Sequence, residues 1–487
     1  MHKKFTNIIF YISVIVSAVM AFYLFLQRFA NLSAGFSYDE LYSLATALPS
    51  LPLSRIWNEF LIKDVNLPLY NILLYGWNHV FPLEPFYMRL FNTLASAAAV
   101  PLVWFLAPKS WPQYPRFTLT ALTAGSFLLI AFGVNIRAYS FALLAAFAFT
   151  LLALRIIDAV MQRIYPPKSL WAGFFITGFL GSYLHYFCSA VFFIAALVVF
   201  LYACAYKTGR KTAFWGTAAV FALWLPWVIN TYQIMASPHG SWWYVAPLAR
   251  STWDTITFLA GGAVMAGFWL VFFIVSGVSF VHEQKAGIFK CPAVILPLAQ
   301  IILLVITVLI LSLKYNLWLD RYFLLSVPPF LLLITQCLTH LQKRHAILVL
   351  LLPFILTVWT NQYWKLDYLR NPEYTGLKEA FHFVSNTLKA QKVLVDSAKT
   401  GYPSDSFSLM LQYYIPKESP LRIEILTPQN AQQAFEEPKI PVLLPLCSQI
   451  HMIQASLDYN MEEDHPPLIF GKDVCVFTVH PIPEKAK

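Results

Sequence analysis

The sequence predicts an α-helical polytopic membrane protein with about 11 transmembrane helices and a C-terminal extracytoplasmic α/β domain. Three observations carry this. Of 487 residues, 58% are hydrophobic and only 12% charged, with a mean hydropathy of +0.60. A soluble domain carries about 25% charged residues, and a globule this poor in charge would have no surface to show water. Apolar stretches of spanning length recur along residues 8–364. Beyond them charge rises and the apolar runs shorten to strand length.

The spans, in order, are Ile8–Arg28, Phe86–Ala107, Phe117–Gly133, Ala138–Ile157, Leu170–Tyr186, Cys188–Tyr206, Ala213–Tyr232, Leu259–Val281, Pro292–Leu313, Tyr322–Leu341 and Ile347–Trp364. The first follows Met1-His2-Lys3-Lys4. It is longer than the apolar core of a signal peptide, about 7–15 residues, and lacks a small-residue cleavage site, so it reads as a retained helix. Lys3 and Lys4 place the N-terminus in the cytoplasm. Every second connection then carries or adjoins basic residues: Lys109 and Arg116; Arg155, Arg163 and Lys168; Lys207, Arg210 and Lys211; Lys285 and Lys290; Lys343 and Arg344. The net charge of +10 is thereby topological rather than the footprint of a nucleic-acid partner. An odd number of spans leaves the C-terminal part outside.

The acids fall on the other side. Up to Asn361 they are Asp39, Glu40, Glu59, Asp64, Glu84, Asp158, Asp254, Glu283 and Asp320, and only Asp158 and Glu283 lie on the cytoplasmic side of this topology. Five sit in the first outer segment, residues 30–85. That segment is too long for a mere connector. Within it Leu67–Phe81, aromatic and too short to span, reads as a helix lying in the outer interface. Residues 1–364 thus form a transmembrane module and 365–487 a small α/β domain. Its strands are expected at Lys392–Val395, Leu421–Leu426, Pro441–Leu446 and Val474–Val479, with helices at Tyr374–Lys389 and Ser406–Ile415. Cys188, Cys204, Cys291 and Cys337 lie in apolar runs, whereas Cys447 and Cys475 lie in the polar part and could pair there. No CxxC or HExxH pattern marks a structural zinc site.

Candidate chemistry gathers at three places. The carboxylate pair Asp39-Glu40 follows the first span, where two adjacent acids at a membrane surface are costly to keep desolvated without a partner. Next comes Lys63-Asp64-Val65-Asn66-Leu67-Pro68-Leu69-Tyr70. Here Asn66 suits an N-cap and Pro68 a first helical turn, while Asp64 has no such structural duty. The third group is Arg137 and Tyr139, His185 and Tyr186, and Asp320-Arg321-Tyr322. Arg137 and Arg321 suit phosphate, which a guanidinium binds through two hydrogen bonds. Arg28 and Arg89 read instead as snorkelling to lipid headgroups. His185 reads as a satisfied polar residue or a ligand. Trp242, Trp243 and Tyr244 could stack on a sugar ring or form part of an aromatic belt.

These motifs, in this order, resemble those of polytopic glycosyltransferases of the GT-C fold. The nearest are the bacterial branch of the dolichyl-phosphate-mannose protein mannosyltransferases, and the aminoarabinose and galacturonic acid transferases that modify lipid A. The resemblance rests on Tyr38-Asp39-Glu40; on Asp64 to Tyr70, similar to a D-x-H-P-P-L-Y stretch; on Arg89-Leu90; on Arg137 and Tyr139; and on Arg321, Tyr322 and Pro328. It implies inverting transfer of a sugar from a polyprenyl-phosphate donor, on the extracytoplasmic face, to a lipid, glycan or protein acceptor. Asp39 would be the base, with Glu40 beside it. Asp64, Asn66, Tyr70, Arg137, Tyr139, His185, Arg321 and Tyr322 would bind substrate. Glu40 and Asp64 would orient the base, bind sugar hydroxyls or hold magnesium or manganese, since hard oxygen ligands suit those ions. The family often has His-Pro-Pro where this chain has Asn66-Leu67-Pro68, and an asparagine can donate a hydrogen bond but cannot take a proton. The resemblance also implies a bacterial inner membrane with the C-terminal domain in the periplasm.

Two other readings compete. A transporter or flippase of lipid-linked glycans would place ionisable groups near the bilayer midplane and show internal repeats; here the acids sit in loops and no repeat is seen. A polymerase or ligase of such glycans would place its large outer loop late in the chain rather than after the first span.

Overall fold

The computed structural model describes residues 2–30, 32–33, 36–236, 248–283, 291–315, 320–344, 346–365, 377–395, 420–425, 441–444, 468–470 and 474–478. The chain forms two compact units. The first comprises Met1–Leu32, Leu51–Leu83 and Tyr87–Asp367; the second comprises Ser33–Ser50, Glu84–Phe86 and Tyr368–Lys487.

Among the described residues seven helices are long and apolar enough to cross a membrane: Ile8–Gln27, Pro85–Leu106, Tyr139–Met161, Tyr186–Ala205, Arg210–Ala236, Pro292–Ser312 and Arg321–Gln342. Thr252–Ala260 and Ala263–Val278, bent by 78°, would make an eighth. The bend falls at Gly261 and Gly262, whose φ values of +88° and +106° suit a residue without a Cβ. The other expected spans are shorter or broken. Lys168–Leu184 has 17 residues, Leu348–Trp364 is likewise short, and Phe117–Gly133 is interrupted at Ser126. Composition sees apolar content, but a spanning helix also needs about 20 continuous residues at 1.5 Å each. The Tyr139–Met161 span is 83% buried and packs on Lys168–Leu184 and Tyr186–Ala205, so it is central to the first unit; Arg210–Ala236, 17% buried, is peripheral.

The break at Ser126 organises its neighbourhood. Helix Gln113–Gly125 ends there, Phe127–Ala131 follows, and residues 132–138 are irregular up to helix Tyr139–Met161. Each interruption frees backbone carbonyls that a helix would have satisfied. Side chains supply the missing donors. Arg28 donates to the Ala124 carbonyl, to the Thr123 carbonyl at 2.8 Å and to Ser96 Oγ at 3.3 Å. Ser96 Oγ donates to the Leu129 carbonyl at 2.9 Å. Arg89 donates to the Val134 carbonyl at 3.0 Å, and Asn92 Nδ2 reaches the carbonyls of Asn135 and Arg137, the latter at 2.8 Å. Ser140 Oγ donates to the Gly133 carbonyl at 3.2 Å. Gly133 permits the close packing: a Cβ there would lie 2.5 Å from the Leu129 carbonyl oxygen and 2.6 Å from Ser96 Oγ.

Arg28 and Arg89 are therefore not at the headgroups; both are fully buried. The long aliphatic arm that would let either reach the bilayer surface instead carries its charge to stranded carbonyls. At Thr123 and Ala124 that charge also meets the negative end of a helix dipole. Burial lowers the Arg28 guanidinium to about 9, which leaves it charged at neutral pH.

In the first outer segment, short helical turns at Leu53–Arg55, Ile56–Phe60 and Leu61–Lys63 precede helix Leu69–Asn78, which lies within the expected Leu67–Phe81 stretch. Its N-cap is Pro68, not Asn66, with no side-chain cap. In the second unit five strands form one mixed sheet: β1 Lys392–Val395, β2 Arg422–Ile425, β3 Pro441–Leu444, β4 Leu468–Phe470 and β5 Val474–Thr478. The order is β2-β1-β3-β5-β4, with β1 parallel to β2 and β3, and β5 antiparallel to β3 and β4. β4 was not expected, its three residues falling below the usual length of a strand signal. The helix expected over Tyr374–Lys389 is described as Leu377–His382 running into a π-turn at Phe383–Thr387; that expected at Ser406–Ile415 lies outside the described residues.

Replacing Arg28 by alanine strands the Thr123 and Ala124 carbonyls, at about 1–3 kcal/mol each. The thermal midpoint of detergent-solubilised Arg28→Ala, followed by size-exclusion chromatography after heating, falls well below wild type. A midpoint equal to wild type would return Arg28 to the lipid headgroups.

Candidate active site

Helices Lys168–Leu184 and Tyr186–Ala205 are separated by one extended residue, His185 (φ −158°, ψ 134°). Extended backbone sends successive side chains to opposite sides, and His185 and Tyr186 belong to two different groups.

His185 lies among rings and cations. Its ring centre is 5.7 Å from that of Tyr139 and 5.9 Å from that of Tyr322, and Phe187 packs on Tyr322 at 5.1 Å. Burial first, then the positive charges of Arg137 and Arg321, push the His185 imidazole down to about 3. It is neutral at any working pH. Its Nδ1 accepts from the Phe187 backbone N–H at 3.3 Å, capping the next helix, so the proton resides on Nε2. Arg137, Tyr139, His185, Arg321 and Tyr322, far apart in sequence, thus come together. Arg137 is carried by the irregular 132–138 segment and Arg321 by the 3-10 turn Asp320–Ser326; both residues are partly exposed. Arginine side chains and a neutral imidazole donor are groups whose chemistry suits a phosphate.

Tyr186 belongs to the other group. Its hydroxyl is hydrogen-bonded to Thr231 Oγ1, and the Asp64 charge acts on it. Asp64, only 9% exposed, does have a local duty: its carboxylate accepts from the Asn66 backbone N–H at 3.0 Å and from Asn66 Nδ2 at 3.0 and 3.1 Å. This Asx-type turn occupies the asparagine that the sequence assigned to capping. Tyr70, 3% exposed, donates to Asn92 Oδ1 at 3.0 Å and so holds the residue that holds Arg137.

Asp39 and Glu40 belong to the second unit, in the first turn of helix Tyr38–Ala45. Their roles separate. Glu40 is 1% exposed and accepts from the Ser37 backbone N–H at 2.8 Å, the carboxylate half of a capping box. Asp39 is partly exposed, and its carbonyl accepts from Ser43 Oγ at 3.2 Å. The pattern Ser37-x-x-Glu40 signals this cap in the sequence and was passed over. Asn92 was missed too, although Arg89, Asn92 and Ser96 form a polar stripe at helical spacing in an apolar span. Among the described residues no three His, Cys, Asp or Glu side chains gather as a metal site. Trp242, Trp243, Tyr244 and Cys447 lie outside the described residues.

No family model and no curated protein matches the chain. Among solved structures it is similar to ArnT from Cupriavidus metallidurans in the apo state, with a TM-score of 0.58 at 9% identity, covering 95% of this chain and 97% of that one. The same protein bound to undecaprenyl phosphate aligns with a TM-score of 0.52 at 10% identity and the same coverage. The chain has the GT-C fold that its motifs suggested.

The depressed histidine has a consequence for acid stability. Below its ordinary pKa, about 6.5, the unfolded chain takes up a proton at His185 that the folded chain refuses until about pH 3, so stability falls as pH is lowered through that window. The thermal midpoint of wild type therefore drops more between about pH 7 and about pH 5 than that of His185→Asn, which keeps a capping side chain. Equal drops would show that His185 takes up its proton freely in the fold.

Proposed function

We propose that this protein transfers a sugar from a polyprenyl-phosphate donor to an acceptor at the extracytoplasmic face of a bacterial inner membrane, with inversion and with Asp39 as general base. The observation that carries the reading is the gathering of Arg137 and Arg321 around His185, on a fold whose similar ArnT structure holds undecaprenyl phosphate. In this reading the N-terminus is cytoplasmic and the C-terminal α/β part periplasmic, which the basic residues of alternate loops support.

The chemistry follows from the groups present. An acceptor hydroxyl attacks the anomeric carbon while the bond from that carbon to the phosphate oxygen breaks. The bonding pair stays on the departing phosphate, and the hydroxyl proton passes to the Asp39 carboxylate. A base in position contributes about 10²–10⁴-fold. Charge grows on the leaving phosphate, so cations fixed beforehand stabilise the transition state more than the ground state. Arg137 and Arg321 supply those cations. His185 Nε2–H adds a donor without a third positive charge. The polyprenyl tail accounts for a membrane-embedded enzyme: the lipid stays in the bilayer while its phosphosugar meets the site. Glu40, committed to its cap, positions the helix that carries Asp39.

The test is transfer from radiolabelled polyprenyl-phosphate sugars, in membranes containing wild type, Asp39→Asn or Arg137→Ala. Wild type moves label to an acceptor. Asp39→Asn loses at least about 10²-fold while inserting normally, and Arg137→Ala loses about 10²–10³-fold. Full transfer by Asp39→Asn would remove it as base. Label crossing sealed vesicles without transfer would favour a transporter.

A further inference from the structure

Arg137 is held on both sides of its own backbone. Its N–H donates to the Asn135 carbonyl at 2.8 Å, which closes a three-residue turn. Its carbonyl accepts from Asn92 Nδ2 at 2.8 Å, and the same amide nitrogen donates to the Asn135 carbonyl. Asn92 is fully buried, so one side-chain amide clamps the turn from within the apolar bundle. The amide is not symmetric: its nitrogen only donates and its oxygen only accepts. With the nitrogen on two carbonyls, the oxygen must face away from them, and a buried acceptor left without a donor is costly. The Tyr70 hydroxyl supplies that donor, giving its proton to Asn92 Oδ1 at 3.0 Å. The Tyr70 ring is itself fixed. Its centroid lies 6.4 Å from that of Phe91, beside Asn92, and 6.1 Å from that of Phe141; those two rings meet at 4.6 Å. Phe141 stands in the first turn of helix Tyr139–Met161, directly after the segment that carries Arg137. Tyr70 thus touches both the helix that supplies the clamp and the helix that resumes beyond the clamped turn.

We infer that Tyr70 is a positioning residue for the donor's phosphate: through Asn92 it fixes the turn that carries Arg137, and it does not itself touch substrate. The inference rests on the proposed function, and it departs from the substrate-binding role that the resemblance gave Tyr70. Burial and bonding both favour the indirect role. Tyr70 is 3% exposed, and its hydroxyl proton is committed to Asn92. Stabilising the charge on a leaving phosphate requires a cation placed beforehand. Productive geometry tolerates about 0.5 Å, and a long arginine arm on an irregular segment keeps to that only if the backbone beneath it is pinned.

The test is a double-mutant cycle on the full-length protein in nanodiscs, with undecaprenyl phosphate and uncharged undecaprenol as binding probes. Wild type, Tyr70→Phe, Arg137→Ala and the double variant are compared, with Arg321 retained throughout. Tyr70→Phe keeps the ring and deletes only the hydroxyl. It weakens undecaprenyl phosphate binding about threefold to tenfold when Arg137 is present. In the Arg137→Ala background it weakens binding no further, and undecaprenol binding is unchanged in every form. Thermal midpoints separate positioning from plain destabilisation. The clamp reaches a carbonyl and not the guanidinium, so Tyr70→Phe lowers the midpoint equally with and without the Arg137 side chain. A stability cost in both backgrounds with a binding cost in only one supports the positioning role. An equal loss of undecaprenyl phosphate binding in both backgrounds overturns it, since Tyr70 would then touch the lipid or merely soften the fold. So does undiminished binding by Tyr70→Phe. Wild type that binds undecaprenyl phosphate no better than undecaprenol, or Arg137→Ala that binds it as well as wild type, would instead defeat the phosphate site of the proposed function, and the role of Tyr70 with it.

Discussion

A backbone carbonyl freed inside an apolar bundle has no water to turn to, and the arrangement around residues 123–138 follows from that constraint. The helix stops at Ser126 and the chain does not resume a long helix until Tyr139. Five side chains close the deficit: Arg28, Arg89, Asn92, Ser96 and Ser140. Three of them project from one face of Pro85–Leu106, so a single helix both spans and serves as a splint. The irregular segment is thereby bonded at the carbonyls of Gly133, Val134, Asn135 and Arg137. Arg137 sits in it, and its own carbonyl is among those bonded. A site on a loop is precise only if a supporting shell fixes the loop, and here that shell runs from Tyr70 through Asn92 to Arg137.

Electrostatics then decides what the site can hold. Two guanidinium groups near one imidazole would become three like charges if His185 were protonated. Burial and those two charges together keep it neutral. The backbone N–H of Phe187 reinforces this by occupying Nδ1. Under the proposed function an arriving phosphate would meet two positive charges and a neutral donor, with no change in the charge of His185 across the physiological range. The same residue caps Tyr186–Ala205, so the helix start and the polarity of the site are specified by one side chain.

Much of the fold was legible because membrane spans announce themselves by composition, and the strands Lys392–Val395 and Pro441–Leu444 stood out as short apolar runs against polar flanks. What composition could not show was where a span breaks. Ser126 lies in an apolar stretch with no proline, and only the donors gathering from Arg28 and Ser96 reveal the interruption. Those donors were misread for the same reason. An arginine after one span and another at the head of the next look like headgroup anchors until the carbonyls they satisfy are known. The cationic group was legible as separate residues but not as a group, since Arg137, His185 and Arg321 are brought together only by packing.

The acids of the first outer segment show how structure divides what composition lumps together. Glu59 pairs with Arg55 at 2.8 Å on an exposed helical turn, an arrangement of little energetic consequence. Asp64 organises a turn and lends its charge to the Tyr186 group. Glu40 folds back on Ser37. The adjacent carboxylates Asp39 and Glu40, indistinguishable as a pair in sequence, are thus separated by helix geometry: position N3 reaches back to the cap, and the position before it does not. A general base must exchange its proton with an acceptor that arrives from outside. A carboxylate that is 1% exposed and bonded to its own backbone is poorly placed for that, whereas a partly exposed one on the first turn of a capped helix is held rigidly and remains approachable. Under the proposed chemistry the base falls to Asp39, and Glu40 contributes by fixing the helix from which Asp39 acts.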